Sequence, residues 1–169
     1  MVVVDSSVLI PLSKIGRLEL IKRNFDEIIT TEDDFKEVVV EGKGKKGTSN
    51  IKESFENWIS VKKVDTDKAK DIAEMEGIAT ADASLLLLVE KVQNGPILLT
   101  NDRALILVAK SRNIEYYWLT TLILKSVRDG LISDVKGKEL LDDLVDVGMN
   151  LDTRVYSKII KKSMKFDKV

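Results

Sequence analysis

Short apolar runs alternate with helical periodicity along the first hundred-odd residues of the chain. That alternation is the signature of an α/β domain built on a parallel sheet. Strands are predicted at 2–4, 27–30, 59–64, 97–99 and 114–118. Between them, Ser6 or Ser7 opens a helix through Val8, Leu9 and Leu12, and Gly16 separates it from a second helix carrying Leu18, Leu20 and Ile21. Thr31 reads as the N-cap of the next helix: its hydroxyl can accept a free backbone N–H, and Glu32, Asp33 and Asp34 put negative charge in a first turn that favours it. That helix should end near Gly42. Residues 42–50 hold three glycines, three lysines and almost nothing apolar, which predicts a flexible basic loop. Another helix precedes Trp58, one runs from Thr66 through Ile72 and Met75, and after a break at Gly77 a strong one covers 80–92.

From Leu119 onward the pattern is helical throughout, over 122–128, 137–147 and 153–164, punctuated by Gly130 and Gly148. The last of these sets Val155, Ile159, Ile160 and Met164 on one stripe and Lys158, Lys161, Lys162 and Lys165 on a basic face. Such a helix packs on one side and faces solvent, or a partner, on the other. The expected organisation is one α/β domain over 1–129 with a helical C-terminal extension over 130–169 packed on it. No internal repeat is evident.

Composition narrows the chemistry. With 169 residues, 44% hydrophobic and 33% charged, the chain has the make-up of a soluble globular domain. A formal net charge of −1 gives no long-range pull on nucleic acid, so any polyanion must be met by local patches. There is no cysteine and no histidine, which removes disulfides, zinc sites with thiolate or imidazole ligands, and every mechanism built on a Cys or His base. Catalysis is left to carboxylates, Lys, Ser or Tyr. The chain opens on a strand with no basic segment ahead of it, and its longest apolar run, 83–89, is too short to span a bilayer. A cytoplasmic setting with no membrane association is therefore expected.

Two of the apolar runs close on an aspartate, Val2-Val3-Val4-Asp5 and Ile97-Leu98-Leu99-Thr100-Asn101-Asp102. In an open parallel sheet the strands' carboxyl ends share one edge, and the helices that follow begin there. Asp5 and Asp102 would meet at that edge. Asp82, in the first turn of the helix over 80–92, and Glu37, on the helix after the second strand, would join them. Singly, each has a plainer role: Asp102 caps the helix over 103–111, Asp5 caps the first helix, Asp82 answers the helix dipole, and Glu37 is a solvated acid with Asp33, Asp34 and Glu41 of equal claim. Together they repel, which raises pKa values or calls for a cation. Oxygen ligands without nitrogen or sulfur select Mg2+ or Mn2+, ions that engage phosphate oxygens and suit phosphodiester hydrolysis.

The ordered set Val2-Val3-Val4-Asp5-Ser6-Ser7, Phe35-Lys36-Glu37-Val38-Val39, Ala79-Thr80-Ala81-Asp82-Ala83-Ser84-Leu85 and Leu99-Thr100-Asn101-Asp102-Arg103-Ala104 resembles the PIN-domain nucleases over roughly residues 1–125. The resemblance implies that Asp5, Glu37, Asp82 and Asp102 form the family's acidic metal site. It assigns Thr100 and Asn101 to the polar stretch before the last acid, and Ser6 to the hydroxyl position after the first. It implies a three-layer α/β/α sandwich with a central parallel sheet of about five strands plus C-terminal helices, and Mg2+- or Mn2+-dependent cleavage of single-stranded RNA. By the same likeness the partners would be an antitoxin protein, as for VapC-type toxins, and a second copy in a homodimer. The tail, with Gly130-Leu131-Ile132, Gly148 and Tyr156, is similar to the C-terminal extension of one branch of the family. Thr80 is a departure, since relatives in that branch often carry a further Glu there.

Lys43, Lys45, Lys46 and Arg103 are candidate RNA contacts, the lysines gripping phosphates and Arg103 meeting a phosphate or a neighbouring carboxylate. Tyr116, Tyr117 and Trp118 offer a stacking surface for bases, although in a strand of alternating faces at least one should be core. Two other readings stand beside the nuclease. One keeps the fold as a catalytically weak RNA- or partner-binding module. The other is phosphoryl transfer through an aspartyl phosphate, which would want a second Asp where the chain has Ser7.

Overall fold

Five short strands, β1 (Val2–Val4), β2 (Ile28–Thr31), β3 (Ile59–Lys62), β4 (Ile97–Leu99) and β5 (Tyr116–Tyr117), make one all-parallel sheet in the order β3-β2-β1-β4-β5. The computed structural model describes residues 1–151 and Ser157. The helix expected over 153–164, with Val155, Tyr156, Ile159, Ile160, Met164 and Lys158, Lys161, Lys162 and Lys165, lies outside the described residues.

Strand β1 is central, with Val2 paired to both Ile28 and Ile97 and Val4 paired to Leu99. The chain first builds outward through β2 to β3, then returns to the other side of β1 for β4. Strand order reverses between β1 and β4, and such a switch point leaves a crevice at the carboxyl edge.

The pleat sorts the valines of β1 into two cores. Val2 and Val4 face α1 (Ser6–Lys14) and α2 (Glu19–Asn24), and with them α8 (Leu119–Arg128) and α9 (Asp134–Asp146), through Leu9, Leu12, Ile21, Leu122, Ile123 and Leu141. Val3 faces α6 (Thr80–Lys91) and α7 (Arg103–Ser111) through Leu85, Leu86, Leu105 and Val108. Each of these side chains is buried, worth about 1.5–3 kcal/mol apiece against exposure. Helices on both faces of a parallel sheet give the α/β/α sandwich expected from the sequence. Helix α3 (Glu32–Phe35) runs on as a π-helical turn (Lys36–Glu41), α4 (Thr48–Asn57) leads into β3, and α5 (Thr66–Glu76) pairs with α6. Among the described residues no helix is long and apolar enough to cross a membrane.

The structure departs from the sequence pattern in three places. The basic segment is shorter than expected because α4 already starts at Thr48, whose hydroxyl donates to the carbonyls of Lys45 and Gly42 at 2.9 and 2.5 Å and closes the turn. Strand β5 is only two residues long, since Trp118 has extended backbone but already serves as the N-cap of α8. Helix α9 starts at Asp134, where Ser133 accepts the Lys136 N–H, so Gly137 lies inside the helix rather than at its start. It is there for packing: a Cβ on Gly137 would stand 2.6 Å from Val127 Cγ2 on α8.

Candidate active site

Asp5 leaves β1 at the switch point, its backbone N–H bonded to the Leu99 carbonyl at 3.0 Å, and caps α1. The side chain is 4% exposed and ringed by donors. Oδ2 accepts from both the Ser7 and the Thr100 hydroxyls, while Oδ1 accepts the Ser6 hydroxyl and the Ser7 N–H, each at 3.2 Å. A carboxylate so held has its charge solvated by the protein and its rotamer fixed.

Asp102 arrives at the same edge from β4. Its Oδ1 accepts the Leu105 N–H at 2.8 Å, so it does cap α7, and its own N–H donates to the Thr100 hydroxyl at 2.9 Å. Asn101 stitches the edge together: its backbone N–H reaches Ser7 Oγ at 2.9 Å, its Nδ2 reaches the Ser7 carbonyl at 3.0 Å, and its Oδ1 accepts the Leu119 N–H at 3.1 Å. The polar stretch Thr100-Asn101 thus ties α1, β4 and α8 into one frame around the two aspartates.

Asp82 sits half-buried in the first turn of α6. Burial first, and then the negative charges of Asp102, Asp5 and Glu37, push its carboxyl up to about 6, against an opposing hydrogen bond from the Ala79 backbone. All three other candidate acids thus act on Asp82. Glu37 is exposed at the start of the π-helical turn. Ser84 on α6 donates to Asp33 on α3 at 2.7 Å, which holds the helix bearing Asp82 against the segment leading to Glu37.

Asp34, an acidic neighbour of Glu37 in sequence, adjoins Asp5 in the fold. It is 1% exposed, accepts the Ser6 N–H at 2.8 Å and the Thr31 hydroxyl at 2.5 Å, and lies against Asp5. Burial, and after it the Asp5 charge, push its carboxyl up to about 8, although the Thr31 and Ser6 bonds pull the other way. At neutral pH it is mostly a neutral acid buttressing Asp5. The sequence signal was Thr31-x-x-Asp34, the spacing of a capping box, which speaks for a local cap rather than for a long-range contact to β1. Ser7 bonds Asp5 through both its N–H and its hydroxyl and accepts from both nitrogens of Asn101, a role that its place next to Ser6 in sequence does not signal.

Not every candidate joins the cluster. Lys43, Lys45 and Lys46 are exposed in a turn that ends at Gly47, and Gly47 (φ 93°) packs on the backbone of Ser13, where a Cβ would stand 2.7 Å from the Ser13 carbonyl carbon. That contact is at the far end of α1, roughly 10 Å along the helix from Ser6. Arg103, the first residue of α7, is exposed beside Asp102 with no ion-pair partner among the described residues. Tyr117 is partly buried against the core that holds Val2, and Tyr116 against the core that holds Val3.

Chemically, the edge offers carboxylate and hydroxyl oxygens and no softer donor, a set suited to a hard dication that would relieve the repulsion at Asp82. Among the described residues no three acids stand ready grouped as ligands, since Asp5 and Asp102 are turned to their caps and hydroxyls.

Residues 1–165 match a family described as "DUF3368: PIN domain". Among solved structures, the crystal structure of PAE2754 from Pyrobaculum aerophilum is similar, with a TM-score of 0.51 and 20% sequence identity, over 73% of this chain and 86% of that one. At that identity the likeness concerns the fold. No curated protein matches the chain.

Proposed function

The chain belongs to the PIN-domain family, whose members are generally nucleases using divalent metal ions, and from that premise we propose that it is an Mg2+- or Mn2+-dependent endoribonuclease acting on single-stranded RNA. The observation that supports this reading most is the tie between Asp5 and Asp102 through the Thr100 hydroxyl at the sheet's switch point, with the Asp82 carboxyl raised by burial and by the charges of Asp102, Asp5 and Glu37. Asp5, Glu37, Asp82 and Asp102 would hold the metal, which supplies an activated water and neutralises charge developing on the phosphate.

The chain's own residues set the stage for that chemistry. Ser6, Ser7 and Thr100 fix the Asp5 carboxylate so that its orientation is settled before substrate arrives. Asp34, protonated, adds bulk and polarity behind Asp5 without adding a further negative charge. Asn101 holds the Asp102 segment against α1 and α8. Arg103, exposed beside Asp102, would meet an incoming phosphate.

The decisive assay is cleavage of single-stranded RNA with Mn2+, with chelator, and with Asp5→Asn or Asp102→Asn. Metal-dependent cleavage lost in both variants is expected, whereas equal cleavage by the variants would sink the proposal. A second reading, a PIN-fold RNA- or partner-binding module without turnover, draws on the ungrouped acids. Calorimetry separates the two, because a working site binds Mn2+ and loses it in Asp102→Asn. The proposal extends, on family likeness, to a cytoplasmic homodimer silenced by an antitoxin. Co-expression with the product of the adjoining reading frame should then abolish cleavage.

A further inference from the structure

A cleft of about 760 Å³ opens directly beside the acid cluster, and Asp102 is part of its wall. Its size falls within the range of sites that enclose a small organic ligand, about 300–1,000 Å³. The rest of the wall is chemically mixed, with Trp118, Arg103, Thr121 and Asn150 each contributing a different kind of contact.

Trp118 supplies an aromatic surface at the point where the chain passes from β5 into α8. Unlike Tyr116 and Tyr117, it lines the cleft. As N-cap of α8 it brings no side-chain acceptor to the first turn, and Asn101 Oδ1 takes only the Leu119 N–H. The N–H groups of Thr120 and Thr121, whose residues line the cleft, therefore have no acceptor within the helix. Arg103 also lines the cleft, its guanidinium without an ion-pair partner among the described residues. Aromatic surface, unpaired cation, free N–H donors and a side-chain amide are together the complement of a nucleotide: base, phosphate and polar base edge.

We propose that this cleft is a subsite for one nucleotide of single-stranded RNA adjoining the scissile phosphate. The base lies on Trp118, the phosphate is gripped by Arg103 and the α8 N-terminus, and Asn150 and Thr121 meet the polar edges. The assignment rests on the nuclease reading for its orientation, since Asp102 in the wall then stands beside the next phosphate along the strand. A base inside a duplex has both faces stacked and cannot lie on an indole, so the subsite selects unpaired RNA.

The chain has two tryptophans, so Trp58→Phe leaves Trp118 as the sole indole reporter. The probe is a labelled oligoribonucleotide of about six nucleotides, a length within single-strand site sizes, titrated in chelator so that no cleavage occurs. Quenching of Trp118 should track binding followed by anisotropy. Arg103→Ala and Trp118→Leu should each weaken binding about tenfold or more, and Trp118→Phe should recover most of the loss. Arg103 is exposed, so its variant folds regardless of what becomes of Trp118→Leu. Absence of binding, binding without quenching, unchanged affinity in Arg103→Ala, or equal affinity for the same sequence closed into a hairpin would overturn the subsite. Chelator keeps the two claims apart: quenching with no cleavage on restoring Mn2+ defeats the nuclease and leaves the subsite standing, and cleavage with unaltered binding in the variants does the reverse.

Discussion

Asp5 and Asp102 are joined through one hydroxyl: Thr100 Oγ1 donates to Asp5 Oδ2 and accepts the backbone N–H of Asp102 at 2.9 Å. Both lie at the crevice between β1 and β4, and Thr100 is fully buried between them. Thr100→Val keeps the shape, leaves the Asp102 N–H without a partner and takes from Asp5 Oδ2 one of its two donors, so it should cost about 1–3 kcal/mol in urea denaturation. Thr100→Ser should stay close to the parent. Equal stability of parent and Thr100→Val would show that this hydroxyl does not hold the edge together.

Asn101→Ala removes the clasp on Ser7 and the acceptor for the Leu119 N–H at once. A loss of about 1–3 kcal/mol is expected, which for a domain of this size lowers Tm by about 2–4 °C per kcal/mol. Mn2+ affinity should fall along with it, because α1 and the Asp102 segment would no longer be locked in register. Calorimetry reads that second effect independently of stability.

Asp34 makes stability depend on pH. Its carboxyl keeps its proton up to about 8 in the folded protein and only to 3.8 when free, so across that window the folded state binds more protons than the unfolded chain. The stabilisation linked to this proton is complete below pH 4 and is lost as pH rises through 8. Asp34→Asn, which cannot ionise, should flatten the profile and gain a few kcal/mol over the parent at pH 8, measured by denaturant titration in chelator. A parallel profile for the two proteins would contradict the buried neutral acid.

Gly137 lets α9 approach α8. Gly137→Leu should destabilise by about 1–3 kcal/mol through overpacking against Val127, even though glycine is the poorer helix former by about 1 kcal/mol. Thermal melts of Gly137→Ala and Gly137→Leu should show the loss growing with side-chain size. A gain in both would mean that the two helices have room to move apart.

Elements whose cause is local were legible in the sequence. Val2 to Val4 and Ile97 to Leu99 are apolar on both faces because both faces are covered, and a continuous apolar run says as much. Thr31 declared its cap because capping needs only neighbours. What was hidden depends on partners distant in the chain. Gly137 looked like a helix boundary until Val127 supplied the reason for its missing side chain. Asp34 was one acid among several until the fold buried it against Ser6 and Asp5. The lysines of the 42–47 turn adjoin Glu37 in sequence, yet the contact of Gly47 with Ser13 carries that turn to the other end of α1.

The place of β1 in the sheet also sets a clock. Asp5 is made nearly a hundred residues before the Leu99 carbonyl and Thr100 hydroxyl that fix it, which come from the β4 side of β1. At about 5–20 residues per second, a chain leaving the ribosome spends many seconds with β1, β2 and β3 available to pair and the β4 side still open. No assembled acid cluster exists during that interval. Whatever chemistry this edge supports can begin only once β4 has paired with β1, long after β1 itself has been made.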